Sequence, residues 1–265
     1  MNLYVIASDR RERSNLSWIA SSSLSLLLAM TVLFVSQIAN AENYPAFAVI
    51  ELFTSEGCSS CPPADDVAIE LRQRAQKERL PVYILDFHVD YWNYLGWTDR
   101  FSKPEYSQRQ RYYASKNHQS GVYTPQAIVN GGKDFIASRQ SLLDQAVAES
   151  LKQPAKGAIQ LQITEEDGEW ILSYELFNVT AEDVLQIAVV EDHLQSNVAR
   201  GENAGRILPH VNVVRLFQSV FDPEASGRVS LAIEPDWKKE NLSVIAFLQN
   251  SKDFSHSAAR AIQFP

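Results

Sequence analysis

The 265 residues predict an α/β half followed by a mostly-β, sandwich-like half. Three observations carry this expectation. Between about Phe47 and Leu151, short apolar runs alternate with stretches of helical spacing. From Ile159 onward the pattern changes to roughly seven runs of period two with little helical signal. Finally, the only two cysteines, Cys58 and Cys61, sit between the first strand-like run and the first helix-like run. A Cys-x-x-Cys pair opening a helix after a strand is the thioredoxin-type redox arrangement.

The chain begins with an export-like pattern. Arg10, Arg11 and Arg13 precede an apolar, Ser-rich stretch from Leu16 to Ile38, and Ala39-Asn40-Ala41 fits a small-residue cleavage site. Residues 1–41 are read as a signal peptide, with an uncleaved membrane anchor as the alternative. The expected domains are then an α/β domain over 42–154 and a β-rich domain over 155–265. The formal charge is −8 with no Lys/Arg stripe, which argues against nucleic acid as a partner. An exported chain meets an oxidising compartment, periplasmic or extracellular, where a lone cysteine pair is poised for disulfide exchange.

The elements follow in order. Phe47–Phe53 reads as a buried strand interrupted by Glu51. A helix is expected from Pro62 to Arg79, since Ala64, Val67, Ala68, Leu71 and Ala75 recur at helical spacing. Pro81–Phe87 reads as a second strand, covered on both faces. His88–Phe101 fits no regular element, and its aromatics, Trp92 and Trp97 among them, suggest a lid or groove wall near the thiols, or a loop packed on itself. Ser102 and Glu105 have capping-box spacing before a helix running to about Asn117. Thr124-Pro125 then precedes a strand over Gln126–Val129, and its place resembles that of the cis-proline that faces the redox cysteines in thioredoxin-like folds, with an ordinary trans proline as the alternative. Asn130-Gly131-Gly132 signals a hairpin turn into Lys133–Ile136, and Ser138 is placed to cap a last helix. Beyond Pro154 the expected strands are centred on Ile159–Ile163, Trp170–Leu176, Val184–Val190, Val211–Phe221, Arg228–Ile233, Leu242–Leu248 and Ala259–Phe264.

The chemistry centres on Cys58 and Cys61. A thiol at a helix N-terminus meets unpaired N–H groups and the positive end of the helix dipole, which favour the thiolate. Cys58 is expected to be the exposed, attacking sulfur and Cys61 the resolving one. The resemblance to thioredoxins implies a proton-handling acid on the preceding strand, for which Glu51 is the candidate, and a groove shaped by Pro125. Tyr123, Thr124, Trp92 and Trp97 are the candidate substrate contacts. Arg200–Arg215, with Gly201 and Gly205, forms a loop that either reaches a substrate or fixes one half of the chain to the other.

Glu51-Leu52-Phe53-Thr54-Ser55-Glu56-Gly57-Cys58-Ser59-Ser60-Cys61-Pro62-Pro63-Ala64-Asp65 resembles an exported bacterial family of proteins of unknown function, number 1223, in the thioredoxin-like superfamily. The resemblance continues through His88–Trp92, Tyr94–Trp97, Tyr123–Gln126, Gly201–Asn203, Gly205-Arg206 and His210–Arg215. It implies a thioredoxin-like domain with an added β-rich domain, and supports fold and site more than substrate.

Three functions remain open at this level. The leading one is a thiol–disulfide oxidoreductase acting on a protein or small thiol without a cofactor. The second is a non-catalytic binding module with a stable Cys58–Cys61 disulfide. The third is a copper carrier using Cys58, Cys61 and His88. Membrane association is expected only through an uncleaved N-terminal segment.

Overall fold

A computed structural model describes residues 44–265, so the expected signal segment lies outside the described residues. The described part forms one compact unit. It contains three α-helices, α1 (Pro62–Glu78), α2 (Pro104–Lys116) and α3 (Gln140–Ser150), among thirteen strands. None of these helices is long and apolar enough to cross a membrane.

The first half supplies β1 (Ala48–Thr54), β2 (Val82–His88), β3 (Gln126–Val129) and β4 (Asp134–Ile136). Strand β1 pairs parallel with β2 and antiparallel with β3. The two faces of β1 are sorted by its period of two. Ala48, Ile50 and Leu52 pack under α1 and α3 with Ala64, Leu71, Leu143 and Val147. Val49 and Phe53 pack on the other face with Tyr106 and Tyr113 of α2. The β3–β4 turn places Asn130 and Gly131 at φ +47° and +69°, the two positive values a type I′ turn needs. Any side chain at Gly131 would run into the Phe254 backbone.

The second half supplies β5 (Ala158–Glu166), β6 (Glu169–Phe177), β7 (Asp183–Glu191), β8 (Leu194–Asn197), β9 (Ile207–His210), β10 (Val213–Val220), β11 (Ser226–Leu231), β12 (Leu242–Asn250) and β13 (His256–Gln263). Here the expected architecture is corrected. The chain does not build a thioredoxin-like α/β domain followed by a separate β-sandwich domain. One mixed eight-stranded sheet, in the order β13-β12-β7-β10-β2-β1-β3-β4, takes strands from both halves. The junction is β10 beside β2, where Val213 pairs with Asp86 and the Asn212 carbonyl accepts the Asp86 N–H at 3.1 Å. A free β2 would present an unpaired strand edge, and β10 covers it. Ordinary period-two patterning marks a strand but not its partner, so the sequence could not show the merger.

The sandwich character survives locally. Leu185, Ile187 and Val189 of β7, with Val244, Ala246 and Leu248 of β12, face the three-stranded sheet β11-β6-β5 through Ile159, Leu172, Tyr174 and Leu176. The opposite sides of the same strands, Ala188, Val190, Ile245 and Phe247, join the α2 layer. Both faces of β7 are therefore buried, as its nine-residue buried run records.

Two expected caps do not form. The N-cap of α2 is Lys103, without a side-chain bond. Ser102 instead donates to the Asp99 carbonyl at 2.8 Å and accepts from Asn93. Helix α3 begins after Arg139 rather than under a Ser138 cap.

Candidate functional site

Cys58 and Cys61 are joined in a disulfide, with Cα atoms 5.4 Å apart. The loop Ser55–Cys61 leaves the end of β1, and Cys61 is the N-cap of α1. Pro62 and Pro63 suit this first turn because the N–H groups they lack have no partner there anyway. The helix therefore starts on Cys61, whose carbonyl accepts from Ala64 at 2.8 Å and Asp65 at 3.2 Å. The Cys61 N–H is engaged by the Cys58 carbonyl at 3.2 Å. The polar group nearest the Cys58 sulfur is instead the Ser60 hydroxyl, 3.3 Å away.

The expected exposure of Cys58 is corrected: both cysteines are 0% exposed, while Ser59 and Ser60 between them are exposed. The cover comes from two places. Trp92 packs so closely that a Cβ added at Gly57 would lie 3.1 Å from the Trp92 Cβ, a tight contact. From the second half, Asn203 donates from one amide nitrogen to the Glu56 and Cys58 carbonyls, both at 2.9 Å. Its neighbour Glu202 accepts the Ser59 N–H at 3.0 Å. Arg206 steadies Asn203 by donating to its side-chain oxygen at 3.0 Å. Gly201, at φ +78°, lets this loop turn against Trp97. The Arg200–Arg215 stretch thus closes over the cysteine loop.

Thr124–Pro125 is cis and adjoins the pair. Ser60 Oγ donates to the Thr124 carbonyl at 3.4 Å, and Trp92 Nε1 donates to Thr124 Oγ1 at 2.8 Å. Pro125 is buried and Thr124 half-buried. Trp97 Nε1 donates to Glu56 Oε2 at 2.6 Å. Tyr123 turns elsewhere, its hydroxyl donating to Asp134 at 2.6 Å. Cys58, Cys61, Thr124, Pro125, Trp92 and Trp97 therefore share one locality, and Tyr123 only borders it.

Glu51 lies elsewhere. It shares the α2 face of β1 with Val49 and Phe53, opposite the helix that carries Cys61. Arg109 of α2 donates to it at 2.5 and 2.8 Å, and the Tyr113 hydroxyl also donates. Burial and the Glu51 carboxylate hold the Tyr113 hydroxyl well above its usual range. The carboxyl on the cysteine side is Asp65, one turn after Cys61, accepting from Thr54 Oγ1 at 2.9 Å. Burial, reinforced by Asp86, raises Asp65 well above the usual carboxylate range.

Both ring nitrogens of His88 lie near carboxylates. Its Nδ1 is 2.6 Å from Asp99 Oδ2 and its Nε2 is 3.4 Å from Asp86 Oδ2. Burial pushes this imidazole down, but Asp99 and Asp86 together hold it well above the usual histidine range. Glu56 Oε1 lies 3.3 Å from His210 Nε2. Burial raises Glu56, yet the His210, Ser196 and Trp97 contacts keep it below its usual value. Asp86 and Asp99 are site residues that sequence reading passed over, while Glu56, Asn203 and His210 fall within its motifs without an assigned partner. Asp86, an acid inside a run otherwise read as an apolar strand, was the available signal.

The chain is similar to solved structures and to one protein family. A crystal structure of a protein from Agrobacterium tumefaciens is 27% identical over 85% of this chain and 97% of that one, with a TM-score of 0.62. HBP35 of Porphyromonas gingivalis shares the fold at 16% identity, over 84% of this chain and 77% of that one, with a TM-score of 0.57. No curated protein matches the chain. Residues 49–249, from β1 through β12, match the family described as "Protein of unknown function (DUF1223)". That span holds both cysteines, Thr124-Pro125 and the covering Asn203 loop, and the chain belongs to this family.

Proposed function

We propose that this chain is an exported thiol–disulfide oxidoreductase. The single observation behind the reading is the Cys58–Cys61 disulfide at the start of α1, beside the Thr124 backbone. In the reducing direction, the Cys58 thiolate attacks one sulfur of a substrate disulfide. The substrate S–S bond breaks, a mixed disulfide forms, and the other substrate sulfur leaves as a thiolate. The Cys61 thiolate then attacks Cys58 Sγ and releases the second substrate thiolate. The substrate gains two electrons and the pair returns to its oxidised form. A dithiol donor must reduce the pair for another turn. An extended peptide could pair with the half-buried Thr124 backbone while presenting its sulfur from the Ser59–Ser60 side.

The test is a glutathione-buffered titration of the purified chain, with insulin reduction as the turnover assay. A reversible midpoint within the range of known exchange proteins, about −120 to −270 mV, together with insulin turnover, is expected. A pair that stays oxidised throughout would instead favour a binding module with an inert disulfide.

The cover over the sulfurs makes a second prediction. Asn203→Ala removes two hydrogen bonds that pin the 201–206 loop to the Glu56 and Cys58 carbonyls. At about 1 kcal/mol each, their loss should speed reduction of the disulfide by dithiothreitol roughly ten- to thirtyfold, if loop opening limits access. Stopped-flow tryptophan fluorescence can follow this, because Trp92 packs on the cysteine loop. An unchanged rate would show that the sulfurs are reached by another route.

A further inference from the structure

Behind the cysteine loop lies a cluster that disulfide exchange leaves unused. Asp86 and His88 are two residues apart on β2, so their side chains leave the same face of the strand. His210 reaches them from the end of β9, its ring centroid 4.8 Å from that of His88. One donor atom from each residue lies within 4.8 Å of the others. The three are 1%, 0% and 3% exposed.

The hydrogen bonding among these groups is incomplete. His88 Nε2, Asp86 Oδ1, both ring nitrogens of His210 and Glu56 Oε1 have no hydrogen-bond partner. A buried polar atom without a partner is unfavourable, and these five sit together. The groups behind them are well tied. Asp99 Oδ2 receives the Glu56 N–H at 2.9 Å, and Asp99 Oδ1 receives the Phe101 N–H at 2.9 Å. Asp99 is thereby fixed to hold a proton on His88 Nδ1, which turns the Nε2 lone pair toward Asp86. A carboxylate that orients an imidazole for a cation on its far side is the usual outer shell of a metal site, and Asp99 gives His88 that shell.

The geometry points to a divalent first-row transition-metal ion, zinc by the donor set, held by Asp86, His88 and His210. Two imidazoles and a carboxylate match zinc's nitrogen and oxygen preference and leave one of four tetrahedral positions to a further donor. For three atoms no more than 4.8 Å apart, some point lies within 4.8 Å divided by the square root of three, about 2.8 Å, of all of them. Closing to bonds of about 2.0–2.2 Å needs shifts of well under 1 Å per ligand. The ion would tie β2 to β9, and so the strand behind the cysteines to the segment that leads out of their covering loop. This site is separate from the cysteines and does not depend on the redox reading.

The site is closed, so loading should accompany folding. The full chain is unfolded and refolded with zinc chloride or cobalt(II) chloride, passed through a desalting column, and assayed for metal content. Wild type and the Cys58→Ser/Cys61→Ser double variant should each retain about one ion per chain. Refolded with cobalt, both should show the visible bands of a tetrahedral nitrogen–oxygen site without thiolate charge transfer. Asp86→Asn and His210→Gln should bind at least tenfold more weakly. Folded wild type that emerges without metal overturns the proposal, whatever the variants do. So does metal lost with the cysteines, or kept undiminished in His210→Gln. If His210→Gln does not fold, the wild-type ratio and the cobalt spectrum decide by themselves.

Discussion

A chain carrying Cys58→Ser is expected to show no disulfide exchange above the buffer background, a loss of at least about a thousandfold in insulin reduction. At neutral pH a thiol offers some per cent of a strong nucleophile, and a serine hydroxyl offers almost none. The partner variant should behave differently. Cys61→Ser leaves Cys58 able to attack but removes the sulfur that resolves the adduct. It should therefore accumulate a mixed disulfide with substrate, visible as a mass increase that dithiothreitol reverses. Both sulfurs are buried under Trp92 and Asn203, so adduct formation should be slow and should rise when Asn203→Ala is added. The assignment of roles fails if Cys58→Ser, and not Cys61→Ser, traps the adduct. The redox reading itself fails if wild type and Cys58→Ser reduce insulin equally.

The second large effect lies on the opposite face of β1. Arg109→Met should destabilise the chain by about 3–5 kcal/mol, because it strands the Glu51 carboxylate in the interior. Glu51 is 0% exposed and the Arg109 side chain only 12%. The guanidinium also lies 4.6 Å from the Phe217 ring and bonds Gln249 at 3.2 Å, so its loss removes packing as well as charge. In urea the midpoint should fall by one to a few molar, given slopes of about 1–3 kcal/mol per molar. The double variant Glu51→Leu/Arg109→Met should recover most of the loss, since replacing a buried pair with apolar residues is often neutral or stabilising. A single-variant loss under about 1 kcal/mol would mean that water reaches Glu51.

Several features of this arrangement were open to a reader of the sequence. The strand, cysteine pair and helix order placed Cys61 at the start of α1, and the element count placed Thr124-Pro125 beside it. The strand over Gln126–Val129 matches its expected bounds. Such features depend on local pattern, and local pattern survives in any tertiary setting. What stayed hidden depends on pairing across long separations. Glu51 read as a neighbour of the cysteines because sequence distance does not reveal which face of β1 a side chain takes once helices cover both faces. Asp86 and His210 read as unrelated residues until β9 and β10 brought the second half alongside β2. The covering loop was legible as Gly201, Gly205 and charged neighbours, but its target was not, because Asn203 bonds a carbonyl 145 residues away. The short strands β8 and β9 were missed for a simpler reason: each has four residues, too few to display a period.

The β2–β10 junction also bears on how such a chain can be made. Asn212 donates to the Ile84 carbonyl and accepts from the Asp86 N–H, contacts that span 128 residues in the first case. Chains rich in such distant pairings fold slowly, since loop closure must precede the contacts that reward it. During synthesis from the N-terminus, the segment through α3 can assemble around β1, but β2 keeps one open edge until residue 213 has emerged. An open edge beside an apolar strand is a template for pairing with other chains. A nascent form of this protein therefore has a long interval in which its cysteines are in place and their cover is not. In that interval the pair is most accessible to whatever oxidises it, and the finished fold closes over the bond afterwards.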